Sequence, residues 1–167
     1  MSWQVLPAYE RSADRKLRGS VGHCPGLRAV RHLRFVEKFK IPVSGETVMI
    51  DEGDFEPRSV GSYALRVYEG GSKKFPTDRF VSGQIRPRNG AIEAVRFADV
   101  DGDQNSEIVV VIRSVGSAGY VSADAFRYHL RSLRLVASVS ELEPEADPIQ
   151  ELCELFTSSN ESSADSK

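Results

Sequence analysis

Apolar and polar residues change their pattern abruptly near Phe35. From there Phe35, Phe39 and Ile41 stand among Val36, Glu37, Lys38 and Lys40, a fair half-buried strand. Thr47-Val48-Met49-Ile50 predicts a second strand, running into the turn cluster Asp51-Glu52-Gly53-Asp54. Tyr63, Leu65 and Val67 alternate with Ala64, Arg66 and Tyr68, a clear period of two closed by Gly70-Gly71-Ser72. Extended runs over 79–88 and 91–97 flank Asn89-Gly90, residues suited to positive φ, and this predicts a tight hairpin. Pro87 puts the first of these runs at an edge or a strand end. Ile108-Val109-Val110-Val111-Ile112 predicts a central strand buried on both faces.

The stretch 122–135 fits either period. Phe126, Leu130 and Leu133 stand at helical spacing, with Ser122 as a cap, whereas Phe126, Tyr128 and Leu130 alternate as a strand. The spacing of the preceding strands favours two more, broken near Arg131-Ser132. The fold class is therefore all-β, about eight antiparallel strands over 35–142 in a sandwich or closed barrel. Residues 148–156 predict a short helix within the segment 143–156.

Charge marks the flanks of this core. Residues 1–40 carry nine Lys/Arg against three acids, residues 41–140 twelve against thirteen, and residues 141–167 one against eight. The first stretch reads as a basic leader over 1–34, disordered or not native, with the working protein beginning near Arg34. Its Glu10 and Asp14 argue against a transit peptide, and it shows no secretory signal. The last, 157–167, is polar enough to predict a disordered tail. The overall net charge of −2 excludes the basic field of a protein that mainly grips nucleic acid. The longest aliphatic run is five residues, far short of a membrane span. Cys24 and Cys153 fit no zinc motif and read as free thiols.

No nucleophile elbow or metalloprotease motif is present, and His23 and His32 lie in the leader. His129 reads as a rim residue, so catalysis is not expected. Two loops carry the remaining chemistry. Asp99, Asp101, Asp103 and Glu107 surround a tight Gly102 turn, in a pattern resembling the D-x-D-G-D loops that bind calcium. The plainer alternative is a solvated turn. The second loop, Arg113-Ser114-Val115-Gly116-Ser117-Ala118-Gly119-Tyr120, follows the buried strand and has little packing value of its own, which suits a binding loop on a rigid scaffold. Ser59-Val60-Gly61-Ser62-Tyr63 echoes it by chance.

Three stretches together resemble the periplasmic inhibitors of invertebrate-type lysozyme: Glu56 to Tyr63, the Asp99–Glu107 loop with Ile108-Val109-Val110, and Arg113 to Ala123. The resemblance covers 35–142 and implies a β-sandwich of about eight strands. It also implies that the protein is no enzyme, works in the periplasm, needs no cofactor and has an invertebrate-type lysozyme as its partner. Ser117 and Tyr120 would enter the enzyme's cleft, Gly116 and Gly119 would shape the loop, and Ser114 would join the lysozyme-binding residues. A second copy of the chain is another candidate partner. The competing function is a calcium-binding adhesion or glycan-binding module, with Asp99, Asp101, Asp103 and Glu107 at its centre.

Overall fold

A computed structural model describes residues 34–70 and 74–164, with side chains through Ser158. The basic leader, with Cys24, His23 and His32, lies outside the described residues apart from Arg34, as does the end of the tail, 165–167.

Eight strands form two four-stranded antiparallel sheets, each a simple meander. The first contains β1 (Val36–Lys40), β2 (Thr47–Glu52), β3 (Gly61–Glu69) and β4 (Arg79–Arg88). The second contains β5 (Ala91–Ala98), β6 (Glu107–Arg113), β7 (Val121–His129) and β8 (Ser132–Leu142). Period-two burial explains the pairing of faces. Val48, Ile50, Tyr63, Leu65 and Val67 of one sheet meet Ile108, Val110, Ile112 and Phe126 of the other in a common core. The ring of Tyr63 meets that of Phe126 edge-on, centroids 6.5 Å apart.

Strand β6 is buried on both faces because the second sheet has a second cover. Val109 and Val111, with Val121, Ala123 and Ala125 of β7, pack under Leu152 of α1 (Pro148–Ala164). That helix starts with Pro148 in its first turn, and Asp147 accepts a bond from the Ile149 amide at 3.1 Å. It runs past Phe156 to Ala164, over the first part of the stretch whose composition predicts a disordered tail. Within it Thr157 and Ser158 donate their hydroxyls back to the carbonyls of Cys153 and Glu154, at 3.0 Å each, so these polar side chains bond to their own helix.

The Asn89-Gly90 hairpin does not form. β4 pairs with β3 through Gly61↔Arg88, and β5 pairs with β6 through Ala91↔Arg113, so these two residues are the crossover between the sheets. Gly90 has φ 142°, and a side chain there would strike the Arg113 carbonyl. Close packing against β6 therefore accounts for the glycine. The two-residue hairpin turn instead joins β7 to β8, where Leu130 and Arg131 take φ 48° and 62°. β4 is an edge strand, as Pro87 predicts.

Polar side chains tie both flanks and the centre. On one flank Glu52 at the end of β2 accepts from the amides of Phe35 (3.3 Å), just before β1, and of Ile92 (2.7 Å) in β5. On the other, Ser82 and Gln84 of β4 bond the Leu133 amide and carbonyl, both at 3.0 Å. Between the sheets, the Tyr63 hydroxyl donates to Asp124, which also accepts from Ser138 (2.6 Å) and Arg86 (3.3 Å). Burial, reinforced by the Asp124 charge, pushes the Tyr63 phenol far up, so it stays a donor at any ordinary pH. Replacing Tyr63 by Phe should leave Asp124 short of one donor and cost about 1–3 kcal/mol. Urea unfolding of both forms measures the loss; an unchanged midpoint would show the tie to be dispensable.

Candidate functional site

The ends of the sandwich differ in character. At one end lie the β2–β3 loop (53–60), the crossover and the β6–β7 loop (114–120). The last of these emerges from the buried strand β6 and is pinched at its base. The Ser114 amide donates to the Tyr120 carbonyl at 2.8 Å, and the Gly119 amide to the Gly116 carbonyl at 3.2 Å. Gly119 sits at φ 62°, where a side chain is strained. Arg113 adds a clamp from below. Its guanidinium donates to the Gly119 carbonyl (3.0 Å) and the Pro144 carbonyl (3.4 Å), and Nε is 3.0 Å from both Glu93 oxygens. The Ser114 hydroxyl accepts from the Gly116 amide at 3.3 Å. Val115, Gly116, Ser117 and Ala118 are left exposed at the tip, with the Tyr120 ring exposed beside them. All five predicted binding residues therefore belong to one projecting loop with a fixed base. The clamping role of Arg113 is a tertiary feature; its place as the last residue of the buried strand is the sequence signal for it.

The neighbouring β2–β3 loop explains the Glu56-to-Tyr63 motif. Glu56 turns back to accept from the Ser62 amide (2.6 Å) and hydroxyl (2.8 Å). Its carboxylate lies against Gly53 and Gly61, where any side chain would collide with it. The Ser62 bonds, with smaller help from Arg88 and Arg34, hold Glu56 below its ordinary 4.5. Arg88, buried to 2 % exposure, donates to the carbonyls of Arg58 (2.8 Å), Pro57 (3.0 Å), Ser62 (3.0 Å) and Gly90.

The family model for the periplasmic lysozyme inhibitors of I-type lysozyme matches residues 33–156. The chain belongs to that family. Among solved structures it is similar to the periplasmic I-type lysozyme inhibitor PliI-Ah of Aeromonas hydrophila, at 40% identity and a TM-score of 0.66, covering 71% of this chain and 98% of the other. It is also similar to A. hydrophila PliI in a complex with Meretrix lusoria lysozyme, at 41% identity and a TM-score of 0.65, covering 71% and 94%. A search of curated proteins found no match.

The acidic loop of this family member lies at the far end of the sandwich, between β5 and β6. Oxygens of Asp99, Asp101 and Glu107 come within 4.8 Å of one another, while Asp103 stands outside that trio. The chain's own donors already engage these carboxylates. Asp99 accepts from the amides of Gly102 (2.7 Å) and Gln104 (2.9 Å), Asp103 from Asn105 (2.8 Å), and Glu107 from Val100 (3.1 Å). Arg127 of β7 brings the positive charge. It donates to Glu107 at 3.0 Å and to Asp101, and lies 3.7 Å from Asp103. Burial pushes the Glu107 carboxyl up, while the Val100 amide and Arg127 oppose the shift. The cross-strand register Ile108↔Phe126 is the signal for this arginine, since one further step sets Glu107 beside Arg127.

Two outcomes follow from these networks. Arg127→Ala strips a nearly inaccessible Glu107 of its cation and should cost on the order of 2 kcal/mol, read by urea unfolding. Glu56 contributes stability in full above pH 4.5 and loses it as pH falls through its lowered folded value. Melting temperature should therefore drop on acidification below about pH 4, and Glu56→Gln should flatten that acid limb; parallel curves would exclude the role.

Proposed function

We propose that this chain inhibits invertebrate-type lysozyme in the periplasm by inserting its β6–β7 loop into the enzyme's cleft, as a plug rather than an enzyme. The observation that carries the reading is a narrow loop clamped at its base, with Ser117 and Tyr120 exposed on it. Family membership gives the target, and the similarity to an inhibitor in complex with a lysozyme supports it.

The chemistry of the two surfaces matches. A retaining glycosidase cleft holds one protonated and one ionised carboxyl group in a groove made for sugar hydroxyls. The Ser117 hydroxyl donates to the ionised group and accepts from the protonated one, as a sugar oxygen would. The Tyr120 ring fills a sugar subsite while its hydroxyl adds a further bond. Gly116 and Gly119 let the backbone enter a narrow groove, and Ser114 keeps the turn closed from below. Preformed loop geometry reduces the ordering entropy lost on binding. This reading requires no metal, because Arg127 supplies the positive charge within the acidic loop.

The test is titration of the purified chain into an invertebrate-type lysozyme acting on peptidoglycan, with hen-type and goose-type enzymes as controls. Selective, stoichiometric loss of activity is expected, unchanged by a chelator; no loss with a folded chain would overturn the proposal. Ser117→Ala and Tyr120→Ala should each weaken inhibition by about 1.5–3 kcal/mol, tenfold to over a hundredfold, without changing the melting temperature. Full potency in both variants would move the contact elsewhere.

A further inference from the structure

The Glu56-to-Tyr63 motif builds a second loop beside the plug, and the plug mechanism gives that loop no role. Its tip presents Phe55 fully to solvent, with a relative exposure of 103%. Phe55 also holds φ 64°, a left-handed conformation that costs a residue with a large side chain. Val60 on the same loop is 56% exposed, and Val115 on the plug loop is 50% exposed. A bare aromatic ring on a strained backbone does nothing for folding. Such outliers persist where the surroundings hold them for function.

The surroundings do hold this loop, and they hold it to the plug. The buried Arg88 guanidinium gathers the carbonyls of Pro57 and Arg58 from the β2–β3 loop and that of Gly90 from the crossover. Gly90 in turn packs against the Arg113 carbonyl and Ser114 amide, where the plug loop begins. Glu56 fixes the other side of the loop through Ser62. The two loops thus leave one end of the sandwich from a shared rigid base.

We propose that the β2–β3 loop is a second arm of the inhibitory surface, with Phe55 anchored on an apolar patch of the lysozyme at the lip of its cleft. This rests on the reading that the Ser117 loop enters that cleft. While the plug competes for the sugar subsites, the arm grips enzyme surface outside them and slows release. Aromatic anchors of this kind dominate interface energetics, and their loss acts mainly on the dissociation rate.

Binding kinetics of the full chain on immobilised invertebrate-type lysozyme test the proposal, with Phe55→Gly, Phe55→Leu and Ser117→Ala beside the parent. Phe55→Gly should raise the dissociation rate about tenfold and leave the association rate within about threefold. Phe55→Leu should recover part of the loss. Glycine takes φ 64° without strain, so Phe55→Gly should melt no lower than the parent, a split that a packing residue would not show. An unchanged dissociation rate in Phe55→Gly, with Ser117→Ala weakened, would overturn the second arm alone. A parent chain that does not bind the enzyme would overturn both readings. Loss of a dimer in sedimentation by Phe55→Gly, with inhibition intact, would assign the ring to self-association and also overturn the proposal.

Discussion

A single buried guanidinium governs how this chain turns its corner. Arg88 ends β4 inside the protein, and its nearest carboxylate, Glu56, is 3.6 Å away. Backbone carbonyls supply most of its acceptors, contributed by the β2–β3 loop, the start of β3 and the crossover. An ion removed from water persists only where its hydrogen-bonding capacity is met. Each of those carbonyls is therefore constrained by the others. The chain can leave one sheet and enter the next only along the path that keeps the guanidinium satisfied. The relative placement of the sheets and of the loops above the corner follows from that condition.

Most of the architecture is legible along the chain because burial alternates cleanly. Tyr63, Leu65 and Val67 point inward as their period requires, and β6 is covered on both sides as its unbroken aliphatic run requires. The ambiguous stretch 122–135 resolves into two strands because the helical spacing of Phe126, Leu130 and Leu133 is accidental: Leu130 is a turn residue and 85% exposed. Asn89-Gly90 shows where local signals fail. Positive φ is a property of the turn, but which strands the turn connects is decided by burial of Arg88 and by the closeness of Arg113. The true hairpin between β7 and β8 uses Leu130-Arg131, with none of the usual turn chemistry; Arg131 lies across from Glu69 at 3.3 Å, a tertiary contact that no window of sequence contains.

The two loops singled out by composition prove unlike in kind. The Ser114–Tyr120 segment has small residues and backbone bonds at its base, leaving its tip free for another molecule. Asp99, Asp101, Asp103 and Glu107 spend their oxygens on nearby amides and on Arg127. Acidic spacing alone carries no sign of Arg127, the cation paired with this loop, because it sits on β7, some twenty residues away in sequence. The exposure of the Ser114–Tyr120 loop is legible because small size and lack of packing value are local properties.

The connectivity also separates short-range from long-range contacts. Within each sheet the strands pair in sequence order, so each sheet closes through short connections whose loop entropy is small. Registers within a sheet are thus fixed by nearby partners. Uniting the halves depends on long-range contacts, such as that of Tyr63 with Asp124 across 61 residues. Until the faces meet, the phenol and the carboxylate keep their water. Once they meet, that pair must form or remain desolvated and unpaired. Docking in the wrong register would bury the Tyr63 phenol without its acceptor and leave Asp124 only its own-sheet partner Ser138, so the polar tie favours the correct sandwich.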